Sequence, residues 1–89
     1  MINKLIFTAH SLDDLARLDK KVAKRISDKL EWYIKQSDPL SFASKLKPPL
    51  ENFWRFRFGD YRAIFEITKK GELRLLIILR IKHRKEVYE

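Results

Sequence analysis

Arg55, Arg57 and Arg62 flank a Gly59-Asp60 break, and Arg80, Lys82, His83 and Arg84 gather at the far end of the next apolar stretch. Guanidinium groups crowded in this way suit an anion, because the planar fork grips a phosphate in bidentate fashion and keeps its charge at every physiological pH. Histidine is the side chain that changes charge around neutrality, so His83 adds a means of moving a proton. Tyr88 adds a phenol suited either to stacking on a base or to plugging the core. Lys45 and Lys47 add two further cations upstream, beside the stiff Pro48-Pro49 pair. The chemistry on offer is the holding of a phosphodiester and, with a proton carrier beside it, its breaking.

Much else is excluded. There is no cysteine, which removes disulfides, thiol nucleophiles and Cys-based metal sites together. His10 and His83 are the two histidines, far apart, and His10 reads as structural, so a metal centre is not expected. Paired carboxylates, a Ser-His-Asp pattern and a phosphate-binding Gly-rich loop are all missing. No cofactor is expected. The longest apolar run, Leu75 to Leu79, falls far short of the roughly 18 residues that a membrane span needs. With neither a span nor a signal peptide in view, the expected location is the cytoplasm, with no membrane partner.

The charge points the same way. Twenty Lys and Arg against twelve Asp and Glu leave the 89 residues at +8. From Trp54 to Lys85 six Arg and four Lys face three acids, so that window alone carries +7. A small domain this basic, and basic on one side, fits an anionic partner, of which nucleic acid is the commonest. At this length one domain, spanning 1–89, is expected.

The elements that must position these residues are legible in outline. Asn3 to Thr8 reads as a strand around Leu5 and Phe7. Ser11, with Asp14 three residues on, reads as the capping box of a short helix carrying Leu12, Leu15, Ala16 and Leu18. Asp19 caps a second helix whose stripe is Val22, Ala23, Ile26, Leu30, Tyr33 and Ile34, and Asp38-Pro39 closes it. Ser41 to Leu50 reads as a loop.

Trp54 to Phe58 alternates strictly, with aromatics on one face and Arg55 and Arg57 on the other. A two-residue turn at Gly59-Asp60 then sets Phe58 opposite Tyr61, Arg57 opposite Arg62, Phe56 opposite Ala63 and Trp54 opposite Phe65. For the next strand, Glu72 to Ile81, a three-residue Lys69-Lys70-Gly71 loop predicts Glu66 opposite Arg74, Arg62 opposite Ile78 and Asp60 opposite Arg80. Leu73, Leu75, Ile77, Leu79 and Ile81 are then expected on the aromatic face, under the helices.

The Gly59-Asp60-Tyr61-Arg62 turn, followed by the closing Ile81-Lys82-His83-Arg84-Lys85-Glu86-Val87-Tyr88, resembles the toxins of the RelE/ParE superfamily, and in particular the RelE-like messenger-RNA interferases of toxin–antitoxin pairs. The likeness runs along nearly the whole chain, through the Asp38-Pro39 break and the Lys45-Leu46-Lys47 approach. It implies an α+β, microbial RNase-like fold with two N-terminal helices packed on a four-stranded antiparallel sheet. It also implies a metal-independent endoribonuclease that cuts mRNA in the ribosomal A site by 2′-OH attack, leaving a 2′,3′-cyclic phosphate and a 5′-OH, with a cognate antitoxin as partner.

By position, Arg62 matches the arginine that holds the scissile phosphate, and Arg55 and Arg57 match paired basic residues of the preceding strand. Lys82 falls where some members place an arginine acid, His83 where others place histidine, and Tyr88 on the terminal aromatic residue. The resemblance thus implies Arg57, Arg62, His83 and Tyr88 as catalytic residues, with Arg55, Arg80, Lys82, Arg84, Lys45 and Lys47 binding RNA. Arginines at 55 and 57 stabilise charge and do not shuttle protons. No carboxylate base is evident near the site, Glu66 and Glu86 being the only candidates and Glu66 expected to pair with Arg74, so the general base is unassigned, with Tyr88 and His83 as contenders. The alternative is a ParE-like toxin, which shares the fold, inhibits DNA gyrase and has no nuclease activity.

Overall fold

The computed structural model describes residues 2–86. In chain order these form β1 (Ile2–Phe7), α1 (Ala9–Ala16), α2 (Lys20–Ile34), a short 3-10 turn (Pro39–Phe42), β2 (Ser44–Lys45), β3 (Trp54–Phe58), β4 (Tyr61–Lys70), β5 (Leu73–His83) and a closing 3-10 turn (Arg84–Glu86). The sheet order is β1-β5-β4-β3-β2. It has five strands where four were expected. β2 is a two-residue edge piece inside the expected loop, and β1 lies parallel to β5, so the sheet is mixed and not antiparallel throughout.

The α2 stripe is where periodicity places it. Asp19 caps the helix through its carboxylate, which accepts from Lys21 N–H at 2.9 Å. Ile26, Leu30 and Tyr33 are buried against Phe56, Ala63, Phe65, Leu76, Ile78 and Ile81 of the sheet. The Phe56 ring stacks between Tyr33, at 4.5 Å, and Phe65, at 4.6 Å. This slab of rings is the centre of the core, and each such pair adds to what area burial alone supplies.

The β3–β4 hairpin has the expected register, Arg57 opposite Arg62 included. Its turn needs Gly59, at φ +59°, a conformation that other residues adopt at a cost. The chain's other glycine, Gly71 (φ +58°), does the same for β4–β5. There the expected three-residue loop is instead a two-residue Gly71-Glu72 turn, since Lys70 pairs with Leu73.

The pairing thereby slips by three residues, an odd number, which moves the start of β5 onto the other face. Leu76 and Ile78 are fully buried under the helices, whereas Leu73, Leu75 and Ile77 turn to the opposite side. The expected Glu66–Arg74, Arg62–Ile78 and Asp60–Arg80 juxtapositions are therefore absent. Arg74 instead donates to Asn3 Oδ1 at 2.7 Å, and Glu66 lies opposite Ile77. A β-bulge then intervenes: Phe65 pairs with Ile78 but Ile64 with Arg80, leaving Leu79 as the extra residue. The bulge flips the strand back. Ile81 returns to the core, and Arg80 and Lys82 take the opposite face of the sheet, from which the Arg80 guanidinium reaches Asp14 of α1.

The first helix explains why the bulge holds. Thr8, not Ser11, caps it: the Thr8 hydroxyl accepts from Ser11 N–H at 3.1 Å and donates to Ile78 C=O at 2.8 Å. Ser11 is a buried helical residue whose hydroxyl donates back to Thr8 C=O. Asp14 then accepts Ile81 N–H at 2.8 Å. β1 stops opposite Ile78, so the edge of β5 beyond that point lacks a strand partner, and α1 supplies side-chain groups in its place.

Candidate functional site

On the face turned from the helices, Arg57, Arg62 and Lys82 form one row across three strands, for Arg57 pairs with Arg62 and Arg62 with Lys82. In the neighbouring row Arg55 lies opposite Ile64, and Ile64 opposite Arg80. Like charges directly opposite each other cost stability, on the order of 0.2–1 kcal/mol per pair. A row of three concentrates positive charge of the kind that suits an anion.

Arg57 is exposed and Lys82 half-buried, but Arg62 is only 5% exposed. Its Nη1 donates to Gly59 C=O at 2.8 Å and to Tyr61 C=O at 2.9 Å. The guanidinium is thus tied to the hairpin turn beside it. Such a donor is preorganised, since little motion remains to be frozen when an anion arrives. It also makes Arg62 part of the fold.

Arg80 has a different engagement. Its Nε and Nη2 donate to the two Asp14 oxygens at 2.8 and 3.0 Å, a bidentate ion pair. Burial by itself pushes the Asp14 carboxyl up, but the Arg80 hydrogen bond, the Ile81 N–H and the Arg80 charge outweigh it and hold the group below the usual carboxylate range. The same hydrogen bond, donated to Asp14, raises the pKa of Arg80 against the opposing effect of burial. Asp14 is the functional neighbour that sequence reading missed, because an acid three residues after Ser11 fitted a capping box so well. The signal was there: Asp14 interrupts an apolar stripe ending in Leu15 and Leu18.

The remaining sites divide. His83, grouped by sequence with the arginines, pairs with Tyr61, and its ring meets the Tyr61 ring edge-on at 5.4 Å. Tyr61 belongs to the helix-side face, so His83 lies across the sheet from Arg62. Its Nδ1 accepts Lys85 N–H at 3.2 Å, which puts the proton of the neutral imidazole on Nε2. Arg84 is exposed and reaches Asp60 at 3.5 Å, the partner expected for Arg80. Lys45 is drawn over the Trp54 ring at 5.3 Å, and Lys47 is exposed in the following loop. Tyr88 lies outside the described residues.

The arginine-bearing face is not bare. Residues 46–53 fold back over part of it, and buried Leu46 with Leu50 and Phe53 meets Ile64 and Leu79 around a cleft of about 290 Å³, rimmed by Arg80, Lys82 and Glu86. An apolar cleft beside a cationic row has the polarity of a nucleotide, base in one and phosphate on the other. Among the described residues no group of three His, Cys, Asp or Glu side chains is placed to hold a metal ion, and no helix is long and apolar enough to cross a membrane.

Comparison with known proteins agrees with this architecture. The family model for the ParE toxin of type II toxin–antitoxin systems matches residues 5–88. No curated protein matches in sequence. Among solved structures, the RelB–RelE antitoxin–toxin complex of Methanococcus jannaschii is 25% identical, with a TM-score of 0.60 over 93% of this chain and 94% of that one. The archaeal RelE–RelB complex of Pyrococcus horikoshii is 21% identical, with a TM-score of 0.66 over 98% and 100%. A YoeB/ParE toxin from Agrobacterium tumefaciens is 20% identical, with a TM-score of 0.67 over 90% and 97%. With all but the ends of its sequence matched by that family model, the chain belongs to the toxins of type II toxin–antitoxin systems in the RelE/ParE superfamily.

Proposed function

We propose that this toxin is a ribosome-dependent endoribonuclease acting on mRNA without a metal. The observation that supports it is the Arg57-Arg62-Lys82 row on one sheet face, with Arg62 locked in place by two backbone carbonyls. When a ribose 2′-OH attacks the adjacent phosphate, negative charge grows on the phosphate oxygens as the P–O5′ bond breaks. Fixed cations aimed at those oxygens favour the transition state over the ground state. Arg62 holds the scissile phosphate, Arg57 and Lys82 flank it, and Arg55 steers the approaching strand. The products are a 2′,3′-cyclic phosphate and a 5′-OH. Proton transfer falls to Tyr88 in this reading, since His83 lies on the other face of the sheet.

A cytoplasmic protein of this kind must be restrained, and its partner in this reading is a cognate antitoxin. Its named neighbours include antitoxin–toxin complexes. An acidic or amphipathic segment that folds as it binds is the complement such a basic surface calls for.

A ParE-like inhibitor of DNA gyrase is the second reading, favoured by the description of the matching family and by the absence of His83 from the arginine face. Primer extension on mRNA after induced expression separates the two. Discrete cleavage sites inside reading frames are expected; intact mRNA with arrested DNA replication would move the assignment to gyrase.

A further inference from the structure

A second basic surface adjoins the row just described and shares Arg57 with it. A groove of about 1040 Å³ runs between α2 and the β3–β4 turn. Lys21, Lys24, Arg25 and Lys29 line its helical wall, with Arg57 and Tyr61 opposite. Asp28 and Asp60 also line it, so five cations face two acids, a net +3. Lys24 is partly committed to Asp28, at 2.9 Å. A solvated helix face carries mixed charge in the same way, but it is convex. This one forms the wall of a concavity and ends in an aromatic residue.

That residue is Trp32, 45% exposed although it is the largest side chain on α2. Its ring is held edge-on by Phe42 at 5.3 Å and by Tyr33 at 5.6 Å, with Lys29 Nζ 4.6 Å from its centroid. An exposed indole fixed from several sides is a platform and not a loose end. Lys21, Arg25 and Lys29 recur every four residues, a rise of about 6 Å per step, comparable with the step between phosphates of an extended single strand. Cations in line along a groove, with an aromatic platform at its end, is how proteins hold single-stranded nucleic acid without reading its sequence.

We propose that this groove binds the backbone of single-stranded RNA, with a base stacked on Trp32, as a second contact that meets the Arg57-Arg62-Lys82 row at Arg57. It holds whether or not the chain cuts RNA. Bound at two places on opposite sides of the β3–β4 hairpin, an RNA or ribonucleoprotein would be gripped and oriented, not merely attracted.

The test is fluorescence anisotropy with a 5′-fluorescein dodecamer of uridylate, 2′-O-methylated throughout so that cleavage through the 2′-OH is impossible. A Lys21→Gln, Arg25→Gln, Lys29→Gln triple variant, its fold checked by thermal melting, should bind about 10- to 100-fold more weakly at low salt. The slope of log K against log salt should shrink by about 2, since each lost phosphate contact removes about 0.7. Trp32→Ala should cost about 5- to 150-fold while leaving the slope alone. Unchanged affinity and slope in the triple variant overturn the proposal. So does equal or tighter binding of a poly-glutamate peptide, which would make the groove a protein site. If Lys82→Gln abolishes binding and the triple variant does not, the groove fails and the sheet face alone holds RNA. If the triple variant weakens binding but primer extension finds no cleavage, the groove stands and the nuclease reading falls.

Discussion

Replacing Arg62 by alanine tests fold and chemistry at one atom. The side chain is nearly buried and gives the carbonyls of Gly59 and Tyr61 charge-assisted bonds of 2.8 and 2.9 Å from a single nitrogen. Hydrogen bonds to a charged group contribute about 1.5–3 kcal/mol net. Gly59 is exposed, so water takes over part of what its carbonyl loses. The sum is therefore about 2–4 kcal/mol, against a total stability of roughly 4–13 kcal/mol for a chain of this length. Arg62→Ala should remain folded at 20 °C but melt about 10–25 °C lower. If Arg62 also holds the scissile phosphate, single-turnover cleavage on programmed ribosomes should fall by about 100- to 1,000-fold in the folded variant. Arg62→Lys keeps the charge without the planar fork, and should recover some rate but little stability. A folded Arg62→Ala that cleaves within threefold of wild type refutes the phosphate role. An unfolding free energy within 0.5 kcal/mol of wild type refutes the turn-tying role. Its buried geometry makes Arg62 part of the fold as well as of the charged row.

Two further outcomes follow from the same geometry. Asp14→Asn should cost about 2–3 kcal/mol, less than the 3–5 typical of a broken buried pair, because the Arg80 side chain is 35% exposed and can be rehydrated. As the folded Asp14 carboxyl lies below its unfolded value of about 3.9, its contribution is fully present above that pH and lost as pH falls through the folded value; the gap in urea melts should be narrower at pH 2.5 than at pH 7, and a gap of the same size at both would sink the ion-pair account. His83→Ala, lying across the sheet from Arg62, should slow cleavage less than tenfold and leave the pH–rate profile unchanged; a loss of about 100-fold with an altered profile would return the imidazole to the chemistry.

The β3–β4 hairpin and its arginine pair were determined by sequence alone, because strict alternation and a two-residue turn are local and leave one register. The α2 stripe and its Asp19 cap were equally plain, since period and cap act within a few residues of each other. What lay beyond reach was everything fixed by contacts distant in sequence. The parallel docking of β1 on β5 joins segments some seventy residues apart, and an isolated run of six residues carries no mark of which strand it will pair with. The Leu79 bulge was hidden for a related reason: along an almost continuous run of Leu and Ile either face can be buried, so hydrophobicity does not choose between registers. Tertiary structure chooses, by setting Thr8 and Asp14 of the first helix against the backbone of β5 on either side of the extra residue. That choice turns Lys82 into the row with Arg57 and Arg62 and sends His83 to the other face. The residues of the candidate site are written in the sequence, but which of them share a surface is decided by one bulge and the helix that holds it.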